Sequence, residues 1–195
     1  MFNREIEITK ENESILFLNA VIENLRYAII SLDMIFNGSI EYRHYDDEHT
    51  FYFFHIQSIL TAQGNIYNVL YNDCFKNRQI SRERVRKVRE DFEIDLTKYR
   101  LLKNKKFRNS CAHFDERYYE FNGVGDMNIL RSDTPEDERK KILSAPHLRT
   151  IDIENWIYYS YDMHGKQIRL DLWELRKEMY MMLHELHMFD IRKEK

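Results

Sequence analysis

Residues 15–36 read ILFLNAVIENLRYAIISLDMIF, and their spacing decides the fold. Ile15, Leu18, Ile22, Leu25, Ile29, Leu32 and Phe36 step by alternating threes and fours. That period draws one apolar stripe along about six turns of α-helix. Asn12 is placed to cap its start and Gly38 its end. A stripe so narrow and long needs a second long helix against it; an intermolecular seam satisfies the same pattern.

Working outward, a polar loop over 40–49 precedes a second predicted helix from about Thr50 to Phe75. Tyr52, Ile56, Ile59, Ile66 and Leu70 fall near one of its faces, and Gln63, Gly64 and Asn65 interrupt the run. Gly64 costs roughly 1 kcal/mol against Ala inside a helix, which marks a close helix–helix approach. Ser81 is read as the cap of a basic helix with Val85, Val88 and Phe92 inward. Asp95 is read as the cap of a fourth helix that buries Tyr99, Leu102, Phe107 and Cys111.

Residues 122–150 hold Gly123, Gly125, both prolines and the charged run 136–141, which reads as a surface excursion. The period then shortens. The stretches 156–161 and 167–172 flank Met163-His164-Gly165-Lys166 as a β-hairpin, with Ile168, Leu170 and Leu172 alternating. Asp171 and Glu174 resemble a capping box for a last helix with Leu172, Leu175, Met179, Met182, Leu186 and Phe189 inward. The expected fold is mainly α: an up-down helical bundle of about four to five helices with a small C-terminal β-hairpin. One domain is expected over 1–195, divided into a bundle (11–120), the excursion (122–150), and the hairpin with the final helix (151–195).

Composition agrees. With 43% hydrophobic residues the chain can build a core, and 5 Gly with 2 Pro are poor supply for a turn-rich β fold. Cys74 and Cys111 show no CxxC spacing, so a reduced cytoplasmic setting is expected, without metal or cofactor. The N-terminus leads into charge instead of a signal peptide, and Glu23, Arg26 and Asp33 break the most apolar stretch, so no membrane is expected.

The net charge is −3, but residues 76–108 carry thirteen Lys/Arg against five Asp/Glu. Such asymmetry suits a polyanion; a solvated helix face over 82–91 accounts for part of the same run. At the end of this segment stands Arg108-Asn109-Ser110-Cys111-Ala112-His113. Arg offers a planar fork of donors matched to phosphate oxygens. His exchanges a proton near neutral pH, and Asn can orient either neighbour. On one continuous helix, positions five apart diverge by roughly 140°. Arg108 and His113 therefore converge only if the helix ends between them or two copies meet. Together they suit metal-free RNA cleavage: the 2′-hydroxyl attacks the adjacent phosphate, His113 moves the proton, and Arg108 meets the developing charge. The structural alternative pairs Arg108 with Asp115 or Glu116, uses Asn109 as a cap and buries His113.

The string Phe107-Arg-Asn-Ser-Cys-Ala-His-Phe-Asp115 resembles the RNxxxH signature of HEPN domains, loosely over residues 11–120. The resemblance implies a compact α-helical bundle, usually dimeric, acting as a metal-independent endoribonuclease in toxin–antitoxin, phage-defence or RNA-processing systems. Arg108 and His113 match the catalytic pair and Asn109 the polar residue after the Arg. The implied partners are RNA, a second copy completing the site at the dimer interface, and an antitoxin protein. Arg100, Lys103, Lys105 and Lys106 are the candidate RNA contacts. The alternative of another class is a non-catalytic HEPN-like module binding RNA, a nucleotide or a protein.

Other candidates are weaker. His44-x-Asp46-Asp47-Glu48-His49 has ligand-type residues without ligand spacing, and His184-x-x-His187 lacks a third ligand. The methionines at 179, 181, 182 and 188 read as core filler. Tyr158, Tyr159 and Tyr161 read as strand packing. No P-loop, GxGxxG, HExxH or GxSxG pattern occurs.

Overall fold

The structure, a computed structural model, describes residues 13–37, 48–71, 78–104, 106–107, 109, 127–144, 149–162 and 166–193. Its elements in chain order are α1 (Glu13–Asn37), α2 (Glu48–Leu70), α3 (Arg78–Asp91), a 3-10 turn (Leu96–Lys98) and β1 (Met127–Leu130). Then follow α4 (Glu136–Ser144), β2 (Arg149–Asp152), β3 (Ile157–Tyr161), β4 (Gln167–Asp171) and α5 (Leu172–Lys193). The chain is mostly helical, with one small mixed sheet toward its C-terminus.

α1 packs against α2, α3 and α5 and is the spine of the core. Leu18, Ile22, Leu25, Ile29 and Leu32 are buried as their spacing predicts. The covered face is broader than the predicted stripe, because Ser14, Val21, Ala28 and Ile35, seven apart, form a second buried row. A buried face this broad suits a helix that is covered by three others, α2, α3 and α5. Ile15 departs from expectation: it is 48% exposed, while its neighbour Ser14 is buried.

α2 runs without interruption through Gln63, Gly64 and Asn65. Gln63 and Gly64 are buried, so the polar break in the pattern marks an internal contact and not a helix end. α3 begins at Arg78, three residues before the expected cap, and Ser81 lies inside it. Arg84 Nη2 donates to the carbonyl of Asn68 (3.3 Å) and Arg89 Nε to that of Leu70 (2.9 Å). Both acceptors belong to the last turn of α2, whose carbonyls lack helical partners and carry the negative end of the helix dipole. Part of the basic run therefore holds α3 onto α2.

The predicted hairpin forms, with β3 antiparallel to β4 and Tyr158 opposite Leu170. It belongs to a larger sheet in the order β1-β2-β3-β4, in which β1 and β2 run parallel. The described residues of 122–150 thus correct the expected excursion: they supply β1, α4 and the first two residues of β2. One sheet face, with Ile151, Tyr158, Ile168 and Leu170, joins the main core. On the other face buried Asp152 fixes α4 to the sheet. It accepts from Arg139 Nη1 (2.8 Å) and Asn155 Nδ2 (3.0 Å), and from the backbone N–H of Glu154 and Asn155. Burial works to raise the Asp152 pKa, but these donors outweigh it and hold the carboxyl below its ordinary range.

α5 starts at the expected cap, Glu174 N donating to Asp171 Oδ1 at 3.0 Å. Leu172, Leu175, Met179, Met182 and Leu186 are buried, Met181 is 50% exposed, and the Phe189 and Met188 side chains lie outside the described residues. Arg176 Nε donates to Asp33 Oδ1 (2.7 Å), and Trp173 stacks on Phe36 with centroids 4.1 Å apart. Among the described residues α1 alone is long and apolar enough to cross a membrane, and it is also the central core helix.

The two ends of the predicted stripe separate in a stability test. Leu25→Ala should cost about 3 kcal/mol, as large-to-small changes in packed cores do. Ile15→Ala should stay within about 0.5 kcal/mol. Urea unfolding followed by circular dichroism measures both; equal losses would contradict the packing described.

Candidate functional site

The Arg-Asn-x-x-x-His string follows a segment that is held from three sides. α3 ends with Glu93 in the left-handed region (φ 45°), Glu93 N bonded to Glu90 O (3.4 Å) and Ile94 N to Arg89 O (3.3 Å). This pair of bonds closes the helix end, with Glu taking the position glycine usually fills. The reversal turns Phe92 and Ile94 back into the core. Asp95 then caps as predicted, accepting from Thr97 N (3.1 Å) and Thr97 Oγ1 (2.6 Å). What it caps is a single 3-10 turn, not the expected fourth helix.

Over 98–104 long-range contacts supplement the local turn bonds, Lys103 N to Tyr99 O (3.2 Å) and Asn104 N to Leu101 O (3.0 Å). Glu178 of α5 accepts from the N–H of Leu101 (2.8 Å) and of Leu102 (3.0 Å). Gln63 of α2, 1% exposed, donates through Nε2 to the carbonyls of Leu101 (3.0 Å) and Asn104 (2.9 Å). Glu185, two turns beyond Glu178, accepts from Tyr99 Oη (2.6 Å) and Lys98 Nζ (2.7 Å). A partly buried turn leaves some backbone donors and acceptors unpaired, and these side chains satisfy them. Tyr99 and Leu102 can then be buried as predicted without a regular helix to carry them, and Phe107 is buried in the helical stretch that follows. Lys106 N donates to Asn104 Oδ1 (3.1 Å), a cap-like contact at the start of the next helical stretch.

The electrostatics of this clamp are asymmetric. Burial pushes the Glu178 carboxyl above its ordinary 4.5, and the N–H groups of Leu101, Leu102 and Arg100 offset it only in part. Burial also works to raise Glu185, but Lys98 and Tyr99 outweigh it and hold that carboxyl low. The Tyr71 hydroxyl, buried beside this cluster and without a hydrogen-bond partner among the described residues, is pushed up by burial and by Glu178.

Of the predicted catalytic residues, Asn109 is helical and half-buried, while Arg108 and His113 lie outside the described residues, as do Cys111, Asp115 and Glu116. Of the predicted RNA contacts, Arg100, Lys103 and Lys106 are exposed, Lys106 lying 3.9 Å from Asp162, and Lys105 is outside the described residues. Within α3, Arg84 and Arg89 face inward, Arg84 lying over the Phe17 ring, while Arg82 and Arg86 remain exposed.

His44, Asp46 and Asp47 are also outside the described residues, and Glu48 pairs with Arg131. His187 Nε2 accepts from Arg26 Nη2 (3.2 Å), so this ring faces α1, while His184 is exposed. Among the described residues no group of three or more His, Cys, Asp or Glu could hold a metal ion. Gln63, Glu178 and Glu185 escaped the sequence reading. Their signal was polar residues within otherwise inward-facing helical runs, two of them seven apart on α5. No protein-family model, no curated protein and no solved structure matches the chain.

Glu178 gives this site a pH signature. Its folded pKa lies above the unfolded value, so its favourable contribution is complete below about 4.5 and is lost as pH rises through the folded pKa. Glu178→Gln keeps an acceptor without the charge and should flatten that decline in urea titrations between about pH 4 and 8. Glu178→Ala strips two buried N–H groups of their acceptor and should cost about 1–3 kcal/mol for each. An unchanged slope in the Gln variant would remove Glu178 from this role.

Proposed function

We propose that this chain is a metal-independent endoribonuclease of HEPN type, acting as a cytoplasmic homodimer on single-stranded or looped RNA. The observation that carries the reading is Arg108-Asn109-x-x-x-His113 standing at the end of the most basic segment of an otherwise acidic chain. His113 serves as general base toward the 2′-hydroxyl or as general acid toward the departing 5′-oxygen, solvent handling the other proton, and Arg108 meets the charge on the phosphorane. Asn109 orients one of the pair. The products carry 2′,3′-cyclic phosphate and 5′-hydroxyl ends, and DNA, lacking the 2′-hydroxyl, is spared. Arg100, Lys103, Lys105 and Lys106 contact the RNA backbone. A toxin or phage-defence role, with an antitoxin protein as partner, belongs to the same reading.

The up-down bundle that this reading requires draws support from paired contacts. Along α1 and α5, Arg26 meets His187 and Asp33 meets Arg176, so the numbering runs in opposite directions. Ser14 meets Lys87 and Phe17 meets Arg84, which sets α3 beside the first turns of α1.

Purified protein incubated with RNA in EDTA should release cyclic-phosphate ends. His113→Ala and Arg108→Ala should each slow release by roughly 100-fold or more. Cleavage unchanged in both variants overturns the proposal. Salt-dependent RNA retention without cyclic phosphate would assign the chain to the binding module instead.

A further inference from the structure

The helical stretch that leads into the Arg-Asn-x-x-x-His string starts on a relay of two amides. Gln63, 1% exposed in the middle of α2, donates through Nε2 to the carbonyls of Leu101 (3.0 Å) and Asn104 (2.9 Å). Asn104 in turn accepts at Oδ1 from the N–H of Lys106 (3.1 Å). A side-chain oxygen that meets the N–H two residues on is the geometry of a helix N-cap, and Lys106, Phe107 and Asn109 are helical. Phe107 is 2% exposed, so its buried ring sets the rotation of the turn that Asn104 starts. Arg108 follows Phe107 directly. The relay also carries a cost. Gln63 Oε1 is buried without a hydrogen-bond partner among the described residues. An unpaired buried carbonyl destabilises, and methionine would fill nearly the same volume without one. What the amide adds over methionine is its donor, and that donor reaches the 101–104 backbone.

We infer that Asn104, held in place by Gln63, is a positioning residue of the ribonuclease site: it fixes where the helical stretch around Arg108 begins, and through that the direction from which Arg108 meets the phosphate. Arginine stabilises a phosphorane through a planar fork of donors, whose contribution depends on direction as well as distance. A misplacement of about 1 Å at a reacting group costs up to roughly 100-fold in rate. The cap and the buried Phe107 ring fix the two settings that such a fork inherits from its backbone, the level of the turn and its rotation. Neither Asn104 nor Gln63 touches RNA in this role. The chemical consequence rests on the ribonuclease reading, whereas the cap itself does not.

Asn104→Ala should lower kcat for RNA cleavage by roughly 10-fold or more and leave KM within about twofold. Asn104→Ser returns a capping oxygen without adding charge and should recover most of the loss. In an Arg108→Ala background, Asn104→Ala should cost less than about twofold, because a residue that acts through Arg108 has nothing left to orient. A merely structural residue would instead multiply the two losses. Amide hydrogen exchange reads the cap without any cleavage. The N–H groups of Lys106 and Phe107 should exchange roughly 5- to 30-fold faster in Asn104→Ala and near the wild-type rate in Asn104→Ser. Losses that multiply, a serine variant as slow as the alanine one, or exchange unchanged in Asn104→Ala overturns the proposal. A wild type that cleaves no RNA brings down the ribonuclease reading and this role within it, while faster exchange in Asn104→Ala would still mark Asn104 as the cap.

Discussion

The contact on which the rest depends is the carboxylate of Glu178 against the backbone of Leu101 and Leu102. Residues 98–104 form a partly buried turn whose own bonds leave several peptide groups unpaired, and an unsatisfied peptide group there costs about 1–3 kcal/mol. Glu178 supplies acceptors for the N–H groups, and Gln63 supplies a donor for the carbonyls. Between them they let an irregular segment behave as core. Tyr99 and Leu102 pack as they would on a helix, while the chain is set up by Asn104 for the stretch that enters the Arg-Asn-x-x-x-His string. The clamp joins elements distant in sequence, α2 and α5, and ties the segment before the string to both.

A second point of fixation lies at the sheet. Trp156 sits in the left-handed region (φ 53°), and its carbonyl accepts from Leu172 N (2.9 Å), the first residue of α5. Its ring meets Phe36 edge-on with centroids 5.0 Å apart. With Asp152 organising the turn just before it, this corner sets where α5 begins. The start of α5 in turn sets how far along the helix Glu178 and Glu185 fall. The small sheet thus indexes the helix that carries the clamp.

Period and capping were legible in the sequence. The 3-4 spacing of 15–36 found α1, the alternation at 168–172 found β4, and Asp171 and Asp95 found their caps. Contacts between remote residues were not legible. Gln63 looked like an interruption because a buried amide and a helix break have the same local appearance. The basic run looked like one surface, because nothing local separates an Arg that caps a neighbouring helix from one that faces water. β1 and α4 were missed because four-residue strands flanked by charge and proline carry almost no periodic signal. For the candidate site, residue chemistry was legible and geometry was not, since positions five apart come together only under conditions that no local pattern states.

The pairing of the first helix with the last also has a consequence for synthesis. Asp33 and Arg176 are separated by 143 positions. At roughly 5–20 residues per second, α1 waits on the order of ten to thirty seconds before α5 exists to cover it. Throughout that interval a 25-residue helix, among the most apolar parts of the chain, has only α2 and α3 for shelter. The nascent protein is therefore a client for protection at its N-terminal end, and ribosomes translating neighbouring copies bring two such helices together before either chain is finished.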